Sequence, residues 1–192
     1  KRSWQQRNRI IEFSKNDYQW LTVPVKSKGK YHQKFKDVEI DLENKNYNNI
    51  SKIIKFNYQS SPYFKDLFID IESILEKKNK FLIDLNVLLI KKICNFLKIE
   101  KEFVFSSSFN LNSKKSQLLF DLTKAVNGTV YLSAPGSAVF FEEHNPFLMS
   151  KIELKYHEYF CKNYKQRTTD FLSYCSIIDM IFNIGKEAKN FI

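Results

Sequence analysis

Four cations and one indole fall within the first ten residues, KRSWQQRNRI, as Lys1, Arg2, Trp4, Arg7 and Arg9. Guanidinium groups beside an aromatic ring can clamp phosphate oxygens or stack on a planar group. A pair of arginines matches a diphosphate well, because each presents a rigid fork of donors. The plain alternative is a solvated chain end, and Trp4 argues against it, since an indole is not commonly left in water. A second stretch with chemical potential is Ser133-Ala134-Pro135-Gly136-Ser137-Ala138. Small residues there would let a phosphate reach backbone amides, and the Ser133 and Ser137 hydroxyls could donate to it. The stretch contains neither a P-loop lysine pattern nor a dinucleotide fingerprint, so an ordinary Gly-Pro turn stays open beside the ligand loop. His32, His144 and His157 are too far apart in sequence to mark a metal site. His157, after a strand-like run and before Glu158, is the best placed of the three for a general base. No nucleophile elbow or Cys-His arrangement is present, so covalent catalysis finds no support.

The elements that would position these residues follow from periodicity. Gln19 to Val25 is a strand-like run, and Asp37 to Leu42 alternates with Val38, Ile40 and Leu42 on one face; polar Lys26 to Lys36 between them is an exposed basic hairpin loop. Ser61-Pro62 opens a helix with Ser as the cap, carrying Tyr63, Phe64, Leu67, Phe68, Ile71, Ile74 and Leu75 on one face. A second helix spans about Asp84 to Leu97 and buries Leu85, Leu88, Leu89, Ile93, Phe96 and Leu97. Both are expected to pack on a common sheet. Phe103 to Ser106 then reads as a strand, Lys115 to Val126 as a helix stopped by left-handed Gly128, and Thr129 to Ser133 as a second strand parallel to the first. Ile152, Leu154 and Tyr156 alternate as a further strand, and a last helix from about Ser176 to Asn183 stops at Gly185. The expectation is one α/β domain, with a parallel or mixed sheet flanked by helices.

Composition bounds the function. With 192 residues, 43% of them apolar, the chain can bury one substantial core. Even Phe81 to Leu97 is interrupted by Asp84, Asn86, Lys91 and Lys92, which excludes a membrane span there. The three cysteines, Cys94, Cys161 and Cys175, are widely spaced, which fits reduced thiols in the cytoplasm better than a zinc or redox motif. A net charge of +10 suits phosphate-bearing partners. Its cations are scattered as pairs such as Lys77-Lys78, Lys91-Lys92 and Lys114-Lys115, with no long basic block, which argues against nucleic acid.

Three blocks taken together resemble the WbqC-like family. They are Lys1 to Trp4 with Arg7-Asn8-Arg9-Ile10 and Trp20 to Val25; Tyr131-Leu132-Ser133 with Gly136; and Tyr164-x-Gln166 followed by Phe171, Leu172-Ser173, Ser176 to Asp179, Phe182-Asn183 and Gly185. They run in family order over nearly the whole chain. Family members usually begin with a strand and a Gln-Pro-x-Tyr-x-Pro loop ahead of the tryptophan block, which is absent here, so part of a binding site is expected upstream. Ser173-Tyr174-Cys175 looks like an insertion relative to the family. The resemblance implies surface-polysaccharide biosynthesis, with transfer of an acyl or aminoacyl unit onto an amino sugar carried on a nucleotide or a lipid diphosphate. A non-catalytic scaffold of the glycan machinery and a glycosyltransferase are the alternatives. No cofactor is identified.

The residues expected to bind substrate are Trp4, Arg7, Asn8, Arg9, Ser133, Gly136, Ser137, Tyr164, Gln166 and Asn183; the catalytic candidates are His157 and Asp179. Asp179 and Asn183, four apart, project from one side of a helix whose other side carries Ile177, Ile178, Ile181 and Phe182. They are expected to meet Tyr164 and Gln166 near one cleft. The alternative makes Asp179 a buried structural acceptor for a backbone amide or for an arginine such as Arg167.

Overall fold

Arg7–Glu12 (β1) and Asp17–Thr22 (β2) form an antiparallel hairpin in which Arg7 faces Thr22, Arg9 faces Trp20 and Ile11 faces Tyr18. Neighbouring residues of a strand point to opposite faces, and both Ile10 and Ile11 are fully buried, so β1 is covered on its two sides. Arg7 to Ile10 of the basic block are therefore part of an ordered strand, whereas Trp4 precedes it and is exposed. The computed structural model describes residues 4–30 and 32–192; Lys1, Arg2 and Ser3 of the basic block, and Tyr31 of the loop, lie outside them.

The run from Gln19 ends as a strand at Thr22, before Pro24, which has no amide to donate. Val25 then pairs with Ile40 in an isolated antiparallel bridge, so the polar segment between them is a hairpin loop as expected. Asp37 to Leu42 makes only single bridges, Glu39 to Phe81 and Ile40 to Val25, after a 3-10 turn at Phe35–Asp37. Lys45–Tyr58 (α1) is a helix for which no expectation was formed. Its buried positions, Tyr47, Ile50, Ile54 and Tyr58, follow helical spacing, and Asn44 caps it by accepting the Asn46 amide at 3.0 Å. Phe64–Glu76 (α2) buries Phe64, Leu67, Phe68, Ile71, Ile74 and Leu75 as expected, but Tyr63 precedes the helix and is 40% exposed. Ser61 does not cap it through its side chain: its carbonyl accepts the Phe64 amide at 3.2 Å while its hydroxyl is left without a partner. Leu82–Phe96 (α3) buries Leu82 and Leu85 deeply, with Leu97 just beyond; Leu88, Leu89, Ile93 and Phe96 are only partly covered.

The chain then enters a second compact unit, Glu102–Phe160. Phe103 to Ser106 is not a strand. It forms no ladder among the described residues, leads into a 3-10 turn at Ser106–Ser108, and leaves Val104 half exposed. Lys115–Ala125 (α4) is the expected helix, but the left-handed residue at its end is Asn127, with φ 54°, and not Gly128. Gly128 is needed for space: a Cβ there would lie 2.9 Å from Thr123 Cγ2 and 3.1 Å from its carbonyl oxygen. Val130–Ser133 (β3), Val139–Glu143 (α5) and Glu153–Tyr156 (β4) make the parallel strand-helix-strand unit, one element later than expected, with Val130 beside Glu153 and Ser133 beside Tyr156. An aromatic cluster forms its core: Phe147 stacks on Tyr131 at 5.3 Å and meets Phe120 edge-on at 5.3 Å.

From Cys161 the chain rejoins the first unit. Ile177–Ile184 (α6) ends at Gly185, whose φ of 64° suits glycine, and whose absent Cβ would lie 2.8 Å from the Tyr63 ring. The class is α/β, with two two-stranded sheets among the described residues. The helices do not share a common sheet: α2 packs against α1, α3 and α6, and the core of the first unit is mostly helix on helix, with Ile10 of β1 added.

Candidate functional site

The hairpin register dictates a layer of cations and rings. Arg7, Arg9 and Ile11 share one face of β1 with Tyr18, Trp20 and Thr22 of β2. Each arginine reaches diagonally to a ring of the neighbouring strand. The Arg7 guanidinium lies 4.0 Å from the centre of the Trp20 ring, and that of Arg9 lies 4.8 Å from Tyr18 and 5.9 Å from Trp4. Trp4 tilts against Trp20 at 5.1 Å but stays 63% exposed, so it is placed beside the arginines as a partly open ring. Asn8 faces away, exposed, and accepts the Arg9 amide on its own Oδ1 at 2.8 Å. Arg9 donates one bond, to the Tyr174 carbonyl at 2.9 Å, while the Nε atoms of both arginines are buried without a hydrogen-bond partner among the described residues. Planar cations fixed by stacking, with donors still to place, are equipped to receive an oxyanion.

Trp20 also lines a cleft of about 930 Å³ whose polar rim includes Gln6, Lys28, Lys30, Gln33 and Asn46. The sequence offered no sign of this cleft, because its walls come from β2, the loop after it, α1 and α3. Tyr18 and Trp20 were missed as ring partners for the same reason: they follow only once the pairing of β1 with β2 is known.

Along the edge of β1 not paired with β2 runs the segment preceding α6. The Ser176 amide donates to the Arg9 carbonyl at 2.7 Å, and the Tyr18 hydroxyl to the Ser173 carbonyl at 2.9 Å. These bonds bring the first and third sequence blocks together. Beneath them Asp179 is fully buried. Its Oδ2 accepts the Tyr164 hydroxyl at 2.6 Å and Gln166 Nε2 at 3.0 Å, and its Oδ1 accepts Asn183 Nδ2 at 3.3 Å. Tyr164, Gln166, Asp179 and Asn183 therefore do meet, but in the core, and the side of α6 that carries Asp179 and Asn183 is not turned to solvent. Arg167 is not the partner of Asp179; it donates to the Asn57 carbonyl at 3.1 Å and lies over the Phe13 ring. Burial raises the Asp179 pKa above the usual carboxylate range, partly offset by hydrogen bonds from Tyr164, Tyr58, Gln166 and Asn183. The Tyr58 and Tyr164 phenols are pushed up first by burial and then by the Asp179 charge, so both remain donors. Cys175 sits between the two regions: burial and then Asp179 push its thiol up to about 12, while Arg9 acts in the opposite direction.

The second unit carries the remaining candidates. His157 follows β4, and its amide donates to the Ser133 carbonyl at 2.7 Å, so Ser133 and His157 adjoin at the carboxyl ends of the two parallel strands. That end is where open α/β sheets place ligand loops. The His157 side chain is exposed and its ring is stacked with Tyr159 at 6.1 Å. The loop between is a 3-10 turn, Pro135–Ser137, in which the Ser137 amide is already bonded to the Ala134 carbonyl at 2.9 Å. Gly136 has open space around the position of a Cβ, and Ser133 is buried. No group of three or more His, Cys, Asp or Glu among the described residues could hold a metal ion, and no described helix is long and apolar enough to cross a membrane.

An α/β chain with a cation and ring layer on a hairpin, backed by a buried carboxylate, is thus the class defined by the fold. The model of the WbqC-like protein family matches residues 1–191, and the chain belongs to that family. It is 31% identical over 194 residues to the uncharacterized protein Rv1507c of Mycobacterium tuberculosis, a match that covers all of this chain and 82% of that protein. No solved structure matches.

Proposed function

We propose that this protein works in surface-glycan assembly, where it binds a sugar carried on a diphosphate and transfers an acyl or aminoacyl group onto an amine of that sugar. The observation that carries the reading is the pair of stacked guanidiniums, Arg7 and Arg9, whose side chains make between them one hydrogen bond among the described residues, from Arg9 to the Tyr174 carbonyl. A diphosphate supplies the acceptors that such donors lack. In the transfer, the neutral sugar nitrogen attacks the acyl carbon, a C–N bond forms, the bond to the carrier breaks, and the nitrogen's extra proton passes to a base. The two base candidates differ in setting: His157, in the second unit, has an exposed side chain, and Asp179, in the first, is buried in the core. Calorimetry with diphosphate sugars, followed by mass spectrometry of mixtures of acyl donors and amino sugars, tests both halves. Binding that is indifferent to loss of either arginine refutes the first half, and a missing product mass across the donors refutes the second.

A non-catalytic scaffold is the second reading. It is favoured by the second unit's exposed apolar side chains, with Val139 65%, Phe140 59%, Leu148 78% and Met149 98% exposed, a pattern that suits docking to another protein.

A further inference from the structure

The diphosphate reading leaves the carrier open between a nucleoside and a lipid, and the cleft beside Trp20 bears on that choice. Its volume, about 930 Å³, lies within the roughly 300–1,000 Å³ of ordinary ligand pockets. One wall is apolar, with Val25, Val38, Ile50, Ile53 and Leu82. The rest is rich in amides and cations: Gln6, Gln33, Asn46, Lys28 and Lys30. A long isoprenoid tail would gain little there, because its passage would desolvate those amides without pairing them. A nucleobase has an aromatic face for stacking and polar edges for amides, and this lining offers both.

Three details sharpen the match. Trp20 belongs to the cleft and to the arginine layer at once, so a base near its ring would have its phosphates near Arg7. Gln33 Oε1 is buried with no hydrogen-bond partner among the described residues, and a buried acceptor of this kind is satisfied by an N–H on a base edge. Lys30 is committed to Glu39 at 3.2 Å, whereas Lys28 makes no ion pair among the described residues and remains available to phosphate. The N-terminus of α1 also borders the cleft, but its Asn46 amide is already taken by the Asn44 cap.

We infer that this cleft is a nucleoside pocket, so that the carrier bound by Arg7 and Arg9 is a nucleoside diphosphate and not a lipid diphosphate; the inference rests on the diphosphate reading above. The test is calorimetry of the full chain with ADP, GDP, CDP, UDP and dTDP, set against inorganic pyrophosphate and farnesyl diphosphate. At least one nucleotide should bind about tenfold or more tightly than pyrophosphate, the scale of one stacked base. Gln33→Leu should erode that advantage and leave pyrophosphate binding nearly unchanged; Trp20→Leu should erode it and, by removing the ring under Arg7, weaken pyrophosphate as well; Arg7→Ala should weaken nucleotide and pyrophosphate together. Because Trp20 also supports Arg7, Gln33→Leu is the decisive variant. Farnesyl diphosphate binding as tightly as the best nucleotide, or a nucleotide preference untouched by Gln33→Leu, would overturn the nucleoside pocket and leave the arginine reading standing. Binding of pyrophosphate and nucleotides that is insensitive to Arg7 and Arg9, or no binding of any probe, would overturn both.

Discussion

Two polar constellations adjoin strand β1, and they differ in one respect that matters. Around Asp179, the carboxylate oxygens are matched by the Tyr164 hydroxyl and the Gln166 and Asn183 amides inside the core. On the hairpin face, Arg7 and Arg9 are fixed by ring stacking but keep buried donors unpaired. Both contain residue types that suggest chemistry. A saturated cluster has the arrangement of a structural device, whereas donors left open have the arrangement of a site awaiting a ligand. The distinction is a matter of valence, not of residue type.

The largest expected effect would break the saturated side. Asp179→Ala removes the carboxylate shared by Tyr58, Tyr164, Gln166 and Asn183, leaves the buried tyrosine hydroxyls without their acceptor, and should cost about 3 kcal/mol or more of stability, read by urea unfolding. Asp179→Asn keeps the shape and separates the roles. Loss of turnover at an unchanged melting temperature would assign Asp179 to catalysis, while early unfolding would assign it to architecture. On the open side, Arg7→Ala and Arg9→Ala should each weaken binding of the diphosphate ligand by about 1.5 to 3 kcal/mol. Arg7→Ala should change stability little beside that, since the Arg7 side chain makes no hydrogen bond among the described residues and stacks on Trp20. Equal losses of stability in Asp179→Ala and Arg7→Ala would erase the contrast between the two sides.

The pH dependence sharpens the same comparison. The folded-state pKa of Asp179 is raised, so its contribution to stability is complete below the ordinary carboxyl range, near about 3.9, and is lost as pH rises through the raised value. The stability gap between the natural chain and Asp179→Asn should therefore be wider at about pH 4 than at about pH 8. A gap that widens toward alkaline pH would mean that the charged form is the one the core favours.

Sequence reasoning reached the two constellations unequally, for physical reasons. Helices with a sustained apolar face, such as α2 and α6, announce themselves through their period. Helix α1 escaped because Asn46, Asn48, Asn49 and Asn57 dilute its stripe and are poor helix formers, although Asn44 stood as a cap signal. Phe103 to Ser106 misled in the opposite sense, since β-branched and aromatic residues favour extended backbone but cannot supply a neighbouring strand. Asp179 and Asn183 were legible as one helix side. Burial of Asp179 stood only as the alternative, because it depends on Tyr164 and Gln166 arriving from another segment. Arg7 and Arg9 were legible as a pair, while their rings required the hairpin register.

Cys175 offers the finest probe, because it lies within the electrostatic reach of both regions. Its thiol is pushed up to about 12, first by burial and next by Asp179, with Arg9 pulling down and Cys161 adding a smaller upward push. Only the thiolate is alkylated, so at neutral pH Cys175 should react with iodoacetamide far more slowly than an ordinary thiol. Substitution at the two sides should then move the rate in opposite directions. Asp179→Asn removes a negative charge that opposes the thiolate and should speed alkylation several-fold; replacing Arg9 with Gln removes a positive charge that supports it and should slow alkylation by a similar or smaller factor. Local opening could also expose the thiol, but an opening that destabilises the native state speeds reaction in both variants. The opposed signs, followed by peptide mass spectrometry at several pH values, therefore isolate the electrostatic effect. If both variants react faster, the two regions communicate with Cys175 through packing and not through charge.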